Sequence, residues 1–100
     1  VLSSQKALER AGINLEDVDI IEMNEAFAAQ SLACVEELGI DMSKLNIHGG
    51  AIAMGHPLGA SGARITGKAA SLLKETGKRY ALSTMCVGGG QGCATVLERA

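Results

Sequence analysis

The sequence predicts an α/β fold, a mixed sheet with crossover helices on its faces and an antiparallel hairpin at the carboxyl end. Three observations point there. Helical and strand-like apolar patterns alternate as helix–strand–helix–strand–helix before two strand-like runs close the chain. The first two helical stretches stop at glycines, Gly12 and Gly39. The last two runs are joined by a glycine-rich turn too short for a crossover, so they are expected to pair antiparallel.

Each element follows from its own residues. In 3–12 (SSQKALERAG), Ser3 or Ser4 is placed to cap a helix, Ala7, Leu8 and Ala11 repeat at helical spacing, and Gly12 ends it. Residues 18–23 (VDIIEM) are apolar enough for a strand buried on both faces. A second helix is expected from Glu25 to Leu38, stopped by Gly39. Its apolar positions, among them Phe27, Leu32 and Val35, run most of the way round, which is the pattern of a buried helix. Residues 45–48 are expected as a short strand, followed by the glycine-rich stretch HGGAIAMGHPLGASG. A third helix over Ser61–Glu75 has small residues at Ala63, Gly67, Ala70 and Ser71 and large ones at Ile65, Leu72 and Leu73. The small residues predict close approach to a neighbouring backbone deep inside an assembly. YALSTMCV (80–87) and CATVLE (93–98) are the two strands of the hairpin, with GGGQG between them. The pattern opens on a helix with no strand before it, so a first strand is expected upstream. No repeat or linker interrupts residues 1–100, which are expected to form one domain.

Composition narrows the function. Nine Lys and Arg against eleven Asp and Glu give a formal charge of −2, without the basic patch that grips nucleic acid. No apolar run approaches the roughly eighteen residues of a membrane-spanning helix, and no leader pattern is visible. Phe27 and Tyr80 are the only aromatic residues beside 13 glycines, so the core is expected to rest on close backbone approach. Three cysteines without a CxxC spacing argue against a disulfide framework and against a structural zinc site, and favour a reducing compartment; the cytoplasm is expected, with mitochondrion and peroxisome left open. His48 matches no ligand spacing with His56 and is read as structural.

Three segments carry residues able to do chemistry. Asn24 stands where a strand turns into a helix; it is either a helix cap or an amide facing the crevice at a strand's carboxyl end, where α/β proteins bind ligands. His56, between Gly55 and Pro57, is pushed into an extended conformation that fixes its direction, as acid–base or oxyanion work requires; the alternative is a turn histidine satisfied by a carbonyl. Cys86 ends a strand and opens Val-Gly-Gly-Gly-Gln-Gly. A phosphate loop would need a helix after those glycines, and CATVLE reads as a strand. What remains is a thiol beside a turn whose N–H groups can face a ligand. Cys34 and Cys93 fit the role of small buried apolar residues better.

Together NEAFAAQ (24–30), NIHGGAIAMGHPLGASGAR (46–64) and CVGGGQGCA (86–94) resemble the signature blocks of the thiolase family, in the family's order and spacing, over essentially the whole chain. The resemblance is to the C-terminal part of that family, whose members make or cleave 3-ketoacyl-CoA. It implies a thiolase-like C-terminal half and assigns roles. Cys86 would exchange a proton with the methyl carbon of acetyl-CoA. His56 would activate the nucleophilic cysteine and donate to the thioester oxygen. Asn24 would hold a water completing that oxyanion hole, and the N–H of Gly88 would serve a second hole. Ala26 and Phe27 would line the path of the pantetheine arm. Coenzyme A thioesters would be substrates, with no further cofactor, and partners would be the upstream half and a homodimer or homotetramer.

The family's nucleophilic cysteine has no counterpart here, since Cys34 lies within a helical pattern. The chain is therefore expected to hold half an active site and to be inactive alone. The competing reading is a thiolase-like module that binds acyl-CoA or lipid, or serves assembly, without catalysis; it has no chemical need for Asn24, His56 and Cys86 together. Ketoacyl synthases, which place a second histidine where Cys86 stands, fit less well.

Overall fold

The computed structural model describes residues 1–100. Three strands form one mixed sheet in the order β1 (Ile20–Met23), β2 (Tyr80–Val87), β3 (Gln91–Glu98). β1 runs parallel to β2, with Ile20 opposite Ala81 and Met23 opposite Thr84, and β2 runs antiparallel to β3, from Tyr80–Glu98 to Val87–Gln91. Helices α1 (Leu2–Ala11) and α2 (Ala28–Leu38) cover one side of this sheet and α4 (Ser61–Thr76) the other; a single turn, α3 (Ala51–Met54), lies between.

Strand alternation divides the core in two. Ile21, Met23 and Leu82 face Leu8 of α1, with Val35 and Leu38 of α2 packed against them. Ile20 and Ala81 face Ala69, Leu72 and Leu73 of α4. All four residues of β1 are buried, as expected for a strand covered on both faces. Buried hydroxyls link the layers: Ser4 of α1 donates to Thr84 Oγ1 at 3.0 Å, and Thr66 of α4 lies 3.0 Å from Ser83 Oγ. Their polar atoms are thereby satisfied where water is shut out.

Several sequence expectations are corrected. α1 starts at Leu2, and neither Ser3 nor Ser4 caps it, because Ser4 is spent on Thr84. Its end at Gly12 is as expected, in the left-handed conformation at φ 71°. The first strand begins at Ile20, although Asp19 already donates to Tyr80 O at 3.0 Å. α2 begins at Ala28, not Glu25; residues 24–27 are not helical, with a bend at Ala26 and Phe27 extended, and Ser31 Oγ turns back to Phe27 O at 3.0 Å. Residues 45–48 form no strand. Leu45 makes one parallel bridge with Ile21, and Asn46 then turns left-handed at φ 44°. The glycine-rich stretch contains α3, which no pattern announced. The hairpin is present, but β3 starts at Gln91, so the turn shrinks to Gly88–Gly90, with Gly89 and Gly90 at positive φ.

Burial differs from expectation in one systematic way. α2 leaves Phe27 74% and Leu32 62% exposed and buries only Ser31, and Ala63, Gly67, Ala70 and Ser71 of α4 face outward. These faces have the composition of interior surface and no cover from residues 1–100. Cys93, expected inside, is exposed for the same reason, since it lies on the edge strand β3. No helix is long and apolar enough to cross a membrane.

Candidate active site

The carboxyl ends of β1 and β2 point the same way because the two strands are parallel, and the candidate residues gather at that rim. Asn24 directly follows β1; its N–H still donates to Thr84 O at 2.9 Å, so it sits as one further step of the strand. Its side chain is buried, 1% exposed, and neither Oδ1 nor Nδ2 has a hydrogen-bond partner in the chain. Asn24 is therefore not a helix cap. A buried amide with both ends unsatisfied costs about 1–3 kcal/mol, and such a group at a rim marks a place where a ligand or a water belongs.

His56 reaches the same rim from the other direction. Its Nδ1 lies 2.5 Å from Ser61 Oγ, and Ser61 is the buried first residue of α4. Ser61 Oγ also donates to Pro57 O at 3.2 Å. With the hydroxyl proton given to that carbonyl, Oγ accepts from Nδ1–H, and Nε2 keeps its lone pair free. The next residue, Gly62, stands 3.5 Å from Met85 Sδ as measured from a Cβ built on it, which places the start of α4 against the end of β2.

Cys86 and Gly88 belong to β2 and its turn, both exposed. Cys86 shares its face with Leu82 and Thr84, and a Cβ on its cross-strand partner Gly92 would lie 2.8 Å from Ser3 Oγ. The thiol side of the residue thus faces α1, where it lines a cavity of about 390 Å³ with Ser3, Ser4 and Cys34. Asn24, by alternation from Glu22, belongs to the α4 side with His56. The structure brings Asn24 and His56 to one side of the rim and Cys86 to the other, and no hydrogen bond joins the three. β2 overruns β1 beyond the Met23–Thr84 pair, so Cys86 stands past the point where β1 separates the two sides. Ala26 is half-buried and Phe27 exposed at the mouth of the same rim; His48 is exposed on the loop.

Two residues outside the sequence expectations organise this rim. Asn46 accepts from Met23 N–H through Oδ1 and donates from Nδ2 to Met23 O, both at 2.9 Å. Glu25 Oε1 accepts from Ile52 N–H at 3.3 Å, at the start of α3. The one visible sign in the sequence is an asparagine just before a glycine-rich loop, a residue type that tolerates left-handed backbone.

Glu22, 1% exposed, lies one strand step behind Asn24 on the α4 side. Burial pushes its carboxyl above the ordinary 4.5; the charges of Arg64 and Lys68 pull it partly back, and Glu25 adds to the rise. Between the ordinary and the raised value the folded chain holds a proton that the unfolded chain releases, so stability falls as pH rises through that window. Glu22→Gln is expected to remove this fall, so that the variant gains on the wild type as pH rises through the window. Urea midpoints of the full-length chain at about pH 4 and about pH 7 check it; an unchanged slope would remove Glu22 as its cause.

The family model for the thiolase C-terminal domain matches residues 1–99. The chain belongs to the thiolase family. It is 57% identical to a 3-ketoacyl-CoA thiolase of Vibrio vulnificus, over 99% of this chain and 26% of that protein. The crystal structure of human mitochondrial 3-ketoacyl-CoA thiolase superposes with a TM-score of 0.93 at 49% identity, over 96% of this chain and 24% of that one. A crystal structure of the same human protein in complex with CoA gives 0.94 at the same identity and coverage. The chain thus spans about a quarter of the length of these thiolases and corresponds to their C-terminal domain. No cluster of His, Cys, Asp and Glu that could hold a metal is present.

Proposed function

We propose that this thiolase domain supplies the C–C-bond half of a 3-ketoacyl-CoA thiolase active site, acting with an upstream part that carries the acylated cysteine. The observation that carries the reading is the buried Asn24 amide, unsatisfied at both ends, on the same side of the sheet rim as His56, in a domain that belongs to this family. In the synthetic direction Cys86, as thiolate, takes a proton from the methyl of acetyl-CoA. The enolate carbon then attacks the acyl thioester upstream, a C–C bond forms, and the upstream cysteine leaves as thiolate. Once protonated, the same thiol returns the proton in thiolysis, so one residue serves both directions.

The enolate step succeeds only if charge on the thioester oxygen is stabilised as it forms. His56 suits both tasks assigned to it. The free Nε2 can take a proton from the upstream thiol, and once protonated it donates to the oxygen, while Ser61 holds the ring by Nδ1. The unsatisfied amide of Asn24 can hold a water as second donor, and the turn at Gly88 offers N–H groups to an acyl-enzyme oxygen. Ala26 and Phe27 would flank the pantetheine arm. The relative solved with CoA supports CoA thioesters as substrates, and this chemistry asks for no resident cofactor. The uncovered faces of α2 and α4 support an upstream half and a dimer or tetramer as cover. Three free thiols suit a reducing compartment such as the cytoplasm.

The test is thiolysis of acetoacetyl-CoA. The full-length chain is expected to turn over and residues 1–100 alone are not, since they hold no nucleophile for the acyl group. Turnover by the isolated domain contradicts the division of labour. A full-length chain that binds CoA thioesters without turnover indicates the non-catalytic module instead.

A further inference from the structure

We propose that Asn46 is a positioning residue for this site: its side-chain amide locks the strand end that carries Asn24 to the loop that carries His56. The inference rests on the reading above that Asn24 and His56 serve one reaction.

β1 has β2 on one edge. On the other edge Leu45 supplies a single bridge to Ile21, and Asn46 N–H donates to Ile21 O at 2.8 Å. There the backbone of the loop turns away, and the ladder would end one residue short of the site. The Asn46 side chain continues it. An amide presents a carbonyl and an N–H side by side, as a strand residue does, and both meet the backbone groups of Met23 at 2.9 Å. The strand end is thereby held on both edges, Met23 by the Asn46 amide and Asn24 N–H by Thr84 O of β2. The side chain of Asn24 has no partner of its own within the chain, so its direction depends on the backbone on which it stands.

The same turn ties down the His56 side. Asn46 is the only non-glycine residue with positive φ, and Gly49 N–H donates back to its carbonyl at 2.8 Å. A Cβ at Gly50 would lie 2.1 Å from Glu25 Oε1 and 2.9 Å from Asn46 Nδ2, so both side chains fill the space beside that glycine. Glu25 then receives Ile52 N–H, which fixes α3, and Gly55 and His56 follow directly. Residues 46–52 and 23–25 are thus stitched into one unit at both ends of the amide.

The test is Asn46→Gly in the full-length enzyme. Glycine keeps the left-handed turn without strain and removes only the amide, so a purely conformational role predicts wild-type kcat. Positioning predicts a kcat about 10-fold to 100-fold lower at nearly unchanged KM, because small misplacements of reacting groups cost that much. Both are measured at a temperature where circular dichroism shows the variant folded. Wild-type kcat in the folded variant overturns the proposal. If Asn46→Gly does not fold, Asn46→Asp keeps the acceptor for Met23 N–H and loses the donor to Met23 O, and its unchanged kcat overturns the proposal equally. Wild-type enzyme without thiolysis would instead defeat the functional reading, which separates the two failures.

Discussion

Replacing His56 by alanine in the full-length enzyme is expected to slow acyl transfer and C–C bond formation together. The ring is held at Nδ1 by Ser61, which leaves Nε2 free, and in the proposed reaction that one atom is both base for the upstream thiol and donor to the thioester oxygen. Losing one oxyanion donor alone costs about 10²–10³-fold in kcat, and losing the base adds to it. Stopped-flow acylation and steady-state thiolysis, measured on the same preparation, should both fall. A variant that acylates at the wild-type rate while failing only in condensation would confine His56 to the oxyanion hole.

Cys86→Ala should separate the half-reactions that His56→Ala impairs together. With no thiolate at the rim, exchange of deuterium into the methyl of acetyl-CoA is expected to drop by about 10²–10⁴-fold, the usual contribution of a positioned acid–base group. Acylation of the upstream cysteine should persist, since it depends on His56. The exposure of Cys86 makes this a mild substitution for the fold, so a loss of activity cannot be assigned to unfolding of β2. Equal loss of exchange and acylation would count against Cys86 as the base.

Much of the fold was legible in the sequence because local chemistry decides it. Gly12 and Gly39 stop helices at φ 71° and 70°, β1 is buried throughout, and the glycine run makes a hairpin. The departures occur where distant residues decide. Helix α2 gives up residues 25–27 because Glu25 is engaged by Ile52 N–H and the strand end runs on through Asn24. The segment after Leu45 is no strand because an amide side chain has taken over the ladder, and no apolar alternation records that. The all-round apolar pattern of α2 predicted a buried helix, and the structure instead buries only Ser31 of it, because residues 1–100 supply nothing that packs on its outer face.

The site was legible as a set of residue types and not as a geometry. Asn24, His56 and Cys86 each stood out beside a turn or glycines with a structural alternative open, and only the resemblance to the thiolase blocks tied them to one reaction. Which side of the sheet each occupies depends on strand register, and the register sets Cys86 opposite Gly92 on the α1 side. From that side the thiol reaches Asn24 and His56 only past the end of β1.

A crystal structure of the full-length chain with a bound thioester analogue tests that reach directly. The account predicts the Cys86 sulfur within about 3–4 Å of the analogue's α-carbon, with His56 Nε2 and an Asn24-bound water at hydrogen-bond distance from its carbonyl oxygen. A sulfur turned toward Ser3 and Cys34, with the α-carbon on the α4 side beyond its reach, would contradict the account.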